Sequence, residues 1–143
     1  MNFIRVIFII VCILIISRLE GQIAVIAHQD VASDTISSAQ LRDIYTGDIS
    51  FWPDGKPIVV CDLNDEMGIH DRFYDFIAIS SSRAKSIWMK RMLSGQSDPP
   101  LIFQTGENLA QRIAEIPGAI GFIDEQEITG TVKVLLRINI RKE

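Results

Sequence analysis

The amino-acid sequence predicts an α/β domain with a mixed, mostly parallel sheet of about four strands flanked by helices. Three observations carry that prediction. Short continuous apolar runs at Ile23–Ala27, Ile58–Cys61 and Ala119–Ile123 have the length and β-branched content of strands covered on both faces. The segments between them repeat apolar residues every three or four positions, the period of an amphipathic helix. Capping and turn residues separate the elements, giving the order strand, helix, strand, three helices, strand, strand.

The first 21 residues stand apart. Arg5 provides a positive start, and Val6 to Ile16 is an unbroken apolar run, too short for a transmembrane helix of about 20 residues. Small residues follow at Ser17 and Gly21. This pattern predicts a Sec-type signal peptide over Met1–Gly21 and an exported domain over 22–143, located in the periplasm. A retained leader would instead anchor the domain at the outer face of the inner membrane. Taking Arg5, Arg18 and Glu20 from the 14 basic and 18 acidic residues leaves 12 and 17, a formal charge of −5. That balance argues against nucleic acid as a partner, because phosphate backbones are held by basic surfaces. Cys12 lies in the leader, so the mature segment keeps Cys61 alone and has no internal disulfide. Set in an apolar strand, Cys61 reads as a buried, inert thiol.

Ile23–Ala27 is the first strand, and His28-Gln29-Asp30 leaves it as a polar turn. Ser37 and Gln40 form a capping box that starts a helix with Leu41, Ile44 and Tyr45 inward and Gly47 as its stop. Trp52-Pro53-Asp54-Gly55 is a turn, with φ fixed at Pro53 and free at Gly55. Trp52 reads as the packing anchor beneath it. Ile58–Cys61 is the second strand, Asp62–Glu66 a polar turn, and Gly68 opens a helix whose inner face is Ile69, Phe73, Phe76 and Ile77. Ser80–Ser82 caps a third helix to Leu93, with Ala84, Ile87, Trp88 and Met92 at helical spacing. Arg83, Lys85, Lys90 and Arg91 form its solvated face. Thr105 caps the fourth helix, packed through Leu109, Ile113 and Ile116 and ended by Pro117-Gly118. Ala119–Ile123 follows, and Gly121 within it marks a close approach of another element. Asp124–Gly130 is a solvated loop, Val132–Leu136 the last strand, and the charged tail from Arg137 frays.

The stretch Val59–Phe73 concentrates the candidate chemistry. A strand, a tight turn and a helix N-terminus expose N–H groups that lack intrahelical partners, which suits an anion. Asp65, Glu66, Met67, Gly68 and Ile69 are the candidate ligand-binding residues. Asp62, Asp65, Glu66, His70 and Asp71 also gather carboxylates around one imidazole. They lack a fixed ligand spacing and read as helix N-terminal charges rather than a metal site. His28 and His70 are far apart in sequence, each placed at a strand end or an exposed helix turn. No nucleophile, base and orienting group are specified together, so no enzyme activity and no cofactor are expected.

Three segments in order resemble the phosphate-binding proteins of ABC transporters, of the type 2 periplasmic binding protein superfamily. Leu41–Trp52 (L-R-D-I-Y-T-G-D-I-S-F-W) is similar to the family's L-x-x-I-F-x-G-x-I-x-x-W. Val59–Phe73 is similar to its phosphate loop, and Ile116–Asp124 (I-P-G-A-I-G-F-I-D) to its G-A-I-G-Y segment. The resemblance implies a single lobe of a fold whose full members have two lobes closing on the ligand. Within the family's R-x-D-x-S-G-T loop, Leu63 stands at the Arg, Asp65 at the Asp, Met67 at the Ser and Ile69 at the Thr, with Gly68 kept. A hydrogen bond to a charged group contributes about 1.5–3 kcal/mol. Three lost contacts thus exceed ~4 kcal/mol, about a thousandfold in affinity. The resemblance therefore implies an exported solute-binding-protein-like domain that takes phosphate or another small anion weakly, or as an oligomer supplying the missing contacts. The alternative is an interaction module, without a small ligand, that docks a membrane transporter or sensor component.

Overall fold

The computed structural model describes residues 2–7, 9 and 21–139. Residues 2–7 and 9 are helical and exposed; residues 1, 8 and 10–20 of the predicted leader and the tail residues 140–143 lie outside the described residues. Among the described residues no helix is long and apolar enough to cross a membrane.

The elements follow as β1 (Gln22–His28), α1 (Ser38–Tyr45), β2 (Val59–Leu63), α2 (Ile69–Phe76), α3 (Ser81–Leu93), β3 (Leu101–Phe103), α4 (Gly106–Glu115), β4 (Ala119–Asp124), a 3-10 turn at Glu125–Glu127 and β5 (Val132–Asn139). They build one five-stranded sheet in the order β3-β2-β4-β1-β5. β2 is parallel to β3 and β4, whereas β1 is antiparallel to both β4 and β5, so four strands share a direction and β1 alone opposes them. The sheet is mixed and mostly parallel, as its apolar runs predict.

The two faces of the sheet carry different helices, and the alternation of β4 shows how. On one face α4 packs against Gly121, where an added Cβ would come within 2.6 Å of Leu109 and 2.8 Å of Ile113. The close approach expected at this glycine is therefore made by α4. On the other face Phe122 stacks on Phe73 of α2, with centroids 3.8 Å apart and planes inclined by 6°. Tyr45 of α1 sits edge-on to Phe73 at 4.8 Å, and its hydroxyl donates to the Cys61 carbonyl at 2.9 Å. That bond satisfies the only polar atom of a fully buried ring and ties α1 to β2.

Local sequence devices act as expected at the helix starts. The Ser37–Gln40 capping box is complete in both directions, Ser80 accepts from the Arg83 N–H, and Thr105 accepts from the Asn108 N–H. Trp52 is buried with its indole N–H donating to the Gly118 carbonyl at 2.9 Å, which makes it the anchor of the Pro53–Gly55 turn.

In its secondary-structure elements and core the structure departs from the sequence expectations in the following places. A fifth strand, β3, follows Pro99-Pro100. It is a three-residue edge strand whose Ile102 stays exposed, so it lacks a burial period to read. Strand β5 runs on to Asn139, because Ile138 turns into the core while Arg137 turns out to pair with Glu125 at 2.6 Å. In α2, Tyr74 takes the inner position expected for Phe76, which is 38% exposed. Met92 of α3 is likewise exposed, because only Ala84 of that peripheral helix is fully covered. Finally, Arg91 leaves the solvated face of α3. Its guanidinium donates to the Thr46 carbonyl at 3.0 Å and pairs with Asp48 at 2.8 Å, docking α3 on the end of α1. Trp88 adds a bond from its indole N–H to the Tyr45 carbonyl at 2.8 Å.

Candidate functional site

The turn after β2 leads into α2 through Gly68, whose φ of +85° is left-handed and available to glycine without steric cost. Gly68 has no side chain with which to cap the helix. The cap comes instead from three residues back. Asp65 accepts from the backbone N–H of His70 at 3.0 Å and of Ile69 at 3.3 Å. Its carboxylate thus occupies the position an external oxyanion would take at this N-terminus.

The other predicted site residues fall around it. Glu66 is exposed, and Met67 is 79% exposed with its side chain in solvent. The Ile69 side chain is buried in the core, so only its N–H faces the site, and Asp65 takes that N–H. Leu63, at the position of the family's Arg, is also buried. None of these side chains brings a positive charge to the α2 N-terminus.

A second carboxylate stands nearby. The 3-10 turn after β4 sets Glu127 directly against Gly106, the first residue of α4, in space that a Cβ would need. Burial raises the affinity of Glu127 for its proton, and the carboxylates of Asp124, Asp65 and Glu107 add to the effect. The N-termini of α2 and α4 therefore both meet the chain's own carboxylates, and the surface around them is acidic.

The other end of the charge cluster faces elsewhere. Asp62 alternates with the buried Cys61 and Leu63, so its side chain points to the α2–α3 side of the sheet. It opens onto a cavity of about 470 Å³ between α2, α3 and β3. His70 Nε2 lies 3.9 Å from Asp62 Oδ2, and His70 Nδ1 lies 3.2 Å from Asp71. Asp62 Oδ1 has no hydrogen-bond partner among the described residues. Burial raises the Asp62 carboxyl's proton affinity, opposed by the His70 imidazole, the Tyr74 hydroxyl and the Leu63 backbone. The same burial, with the Asp62 charge, pushes the Tyr74 phenol upward. Contrary to the exposed helix turn expected for it, His70 is largely covered, with 18% of its side chain accessible. The five polar residues grouped by sequence thus divide: Asp65 caps α2, Glu66 and Asp71 face water, and Asp62 with His70 enters the cavity. Sequence reasoning missed this cavity. The available clue was an acidic residue at an inward position of an otherwise apolar strand.

Among the described residues no group of three His, Cys, Asp or Glu side chains is placed to hold a metal ion. Cys61 is fully buried, and burial pushes its thiol up to about 12, so it is not poised for nucleophilic chemistry.

No family model matches the chain, and no curated protein matches it. Solved structures do. A Clostridium perfringens protein assigned to phosphate ABC transporter substrate binding, solved with bound phosphate, superposes with a TM-score of 0.66 at 23% identity. An ABC-type phosphate transport receptor from Vibrio cholerae gives 0.63 at 18%, and PstS from Borrelia burgdorferi gives 0.61 at 15%. Each comparison covers 80% of this chain but only 44%, 45% and 46% of the respective structures. The chain therefore has the fold of phosphate ABC transporter substrate-binding proteins over somewhat less than half their length, a single α/β unit of the kind its three sequence motifs predict.

Proposed function

We propose that this chain is a non-enzymatic binding domain of the phosphate-transporter solute-binding kind, in which phosphate or a similar small oxyanion binds only weakly at the α2 N-terminus. The observation that carries this reading is the Asp65 carboxylate on the Ile69 and His70 N–H groups. An incoming oxyanion must displace that carboxylate and then share an acidic surface with Glu127, Asp124 and Glu107. The exposed Met67 and buried Leu63 offer it no compensating charge or hydroxyl. In this reading the domain is exported to the periplasm, and the partner of the system is a membrane transporter component.

Calorimetry with phosphate and sulfate tests it, with oligomeric state measured alongside. The wild-type monomer should bind phosphate more weakly than about 10 μM, above −7 kcal/mol on the usual scale. Asp65→Ser frees two N–H groups, removes a negative charge and supplies a hydroxyl, and should tighten phosphate binding by about tenfold or more. Wild-type monomer binding tighter than about 10 μM, or no gain in Asp65→Ser, would overturn the reading.

A further inference from the structure

Positive charge is concentrated on α3 beyond what the fold uses. From Phe76 to Ser97 the chain has no Asp or Glu, although it holds 18 acidic residues in all and a net charge of −4. Four basic residues fall in this stretch, and only Arg91 is taken up by the fold, through Thr46 and Asp48. Arg83, Lys85 and Lys90 are exposed and make no ion pair among the described residues. The helix sets these charges around an apolar centre. Ala84, Ile87, Trp88 and Arg91 mark the side of α3 turned to the protein. At about 100° per residue, the opposite side is centred on Met89 and Leu93, with Lys85 on one flank and Lys90 with Arg83 on the other. Leu93 is 79% exposed, and Met89 and Met92 are also open to solvent. Ile102 of edge strand β3, 64% exposed, lines the same cavity mouth as Met89 and Met92 and carries the apolar surface beyond the helix.

We propose that the outward face of α3, with Ile102 beside it, is a docking surface for an anionic lipid membrane. Aliphatic tips set between lysines and arginines on an exposed helix form the pattern of a helix lying in a lipid interface. There the tips of Met89 and Leu93 enter the acyl boundary, while the long basic side chains flanking them reach the anionic headgroups. A lipid surface supplies both chemistries, negative charge and an apolar layer, within the reach of one helix face. Net negative charge elsewhere on the chain fixes the orientation, because the acidic surface around Asp65 and Glu127 is repelled by the same headgroups. The surface does not depend on the phosphate reading, since no residue of the α2 N-terminus belongs to it.

Leu93→Trp in the full chain places a fluorescent reporter at the centre of the face, at a position exposed enough to accept it. A local reporter is needed because the apolar run Val6–Ile16 can hold the chain on any vesicle without α3. On vesicles of phosphatidylglycerol and phosphatidylcholine in equal parts, the emission of Leu93→Trp, taken as its difference from wild type, should shift to the blue and be quenched by brominated acyl chains. On phosphatidylcholine vesicles it should do neither, nor with polyglutamate, which offers charge without an apolar layer. Adding Lys85→Glu and Lys90→Glu should lower the ratio of docked to free α3 at least about twentyfold, at about fivefold for each basic residue near an anionic surface. Raising the salt should act in the same direction. The proposal is overturned by an equal shift on neutral vesicles, by a shift with polyglutamate, by no shift on anionic vesicles, or by an unchanged ratio in the folded double-glutamate variant. Should that variant not fold, the comparison of anionic with neutral vesicles in Leu93→Trp decides.

Discussion

The carboxylate of Asp65 accepts the backbone N–H of His70 at 3.0 Å, closing the N-terminus of α2 from five residues upstream. This bond makes the oxyanion position of the turn internal to the protein. The same side chain therefore has two measurable roles, as a helix cap and as a resident anion.

As a cap, Asp65 should contribute to stability even where no ligand is present. Asp65→Ala leaves the Ile69 and His70 N–H groups without their acceptor. The expected loss is about 0.5–2 kcal/mol in urea denaturation. An unchanged midpoint would mean that water replaces the carboxylate at no cost.

Packing at Gly121 should be less forgiving than at any surface glycine. A Cβ there meets Leu109 and Ile113 inside normal contact distance, with Cys61 at 3.4 Å behind them. Gly121→Ala should cost about 1–3 kcal/mol, the usual range for overpacking a filled core. An unchanged urea midpoint in Gly121→Ala would contradict the packing account.

Stability should carry a pH dependence traceable to Asp62. Burial holds its carboxyl above the unfolded value, so the native state keeps a proton that the unfolded chain has released. Between the unfolded value near 3.8 and the higher native one, the native state binds more protons and this residue's contribution falls as pH rises. Asp30 works in the other direction. Burial raises its carboxyl, but the Gly118 N–H, Lys56 and His28 together bring it below 3.8, so its contribution is lost as pH falls. The difference between wild type and Asp62→Asn isolates the first effect. Asp62→Asn should gain in stability relative to wild type as pH rises above 3.8 through the raised native value. A pH-independent difference would show that Asp62 is not held in its raised state.

Cys61 should stay silent toward thiol reagents in the folded protein. It is fully buried and its thiol is pushed up to about 12, so both access and thiolate are missing. Disulfide-exchange labelling at pH 8 should proceed at the rate of global or local opening and accelerate strongly in urea. Immediate labelling without denaturant would place the thiol outside the β2–β4–α4 core.

The sequence alone determined those features whose physical cause is local. Capping at Ser37, Ser80 and Thr105, the Trp52–Gly55 turn, the inner face of Leu41, Ile44 and Tyr45, and the apolar strands around Cys61 and Ile123 each follow from neighbouring residues. Their order, with the three family-like motifs, was enough to reach the fold. What the tertiary structure decided depended on groups distant in sequence. Leu101–Phe103 is a strand only because β2 lies beside it, and Arg91 is a structural residue only because α3 meets the end of α1. The antiparallel placing of β1 between β4 and β5 has no local signature either. The stretch Val59–Phe73 shows both halves of the division. Its strand, turn and helix are legible from composition and spacing, while the partition of its acidic residues is not. Asp65 turns to the helix N–H groups and Asp62 into a cavity formed with α3 and β3, because a side chain's partners are set by what the remainder of the chain packs against it.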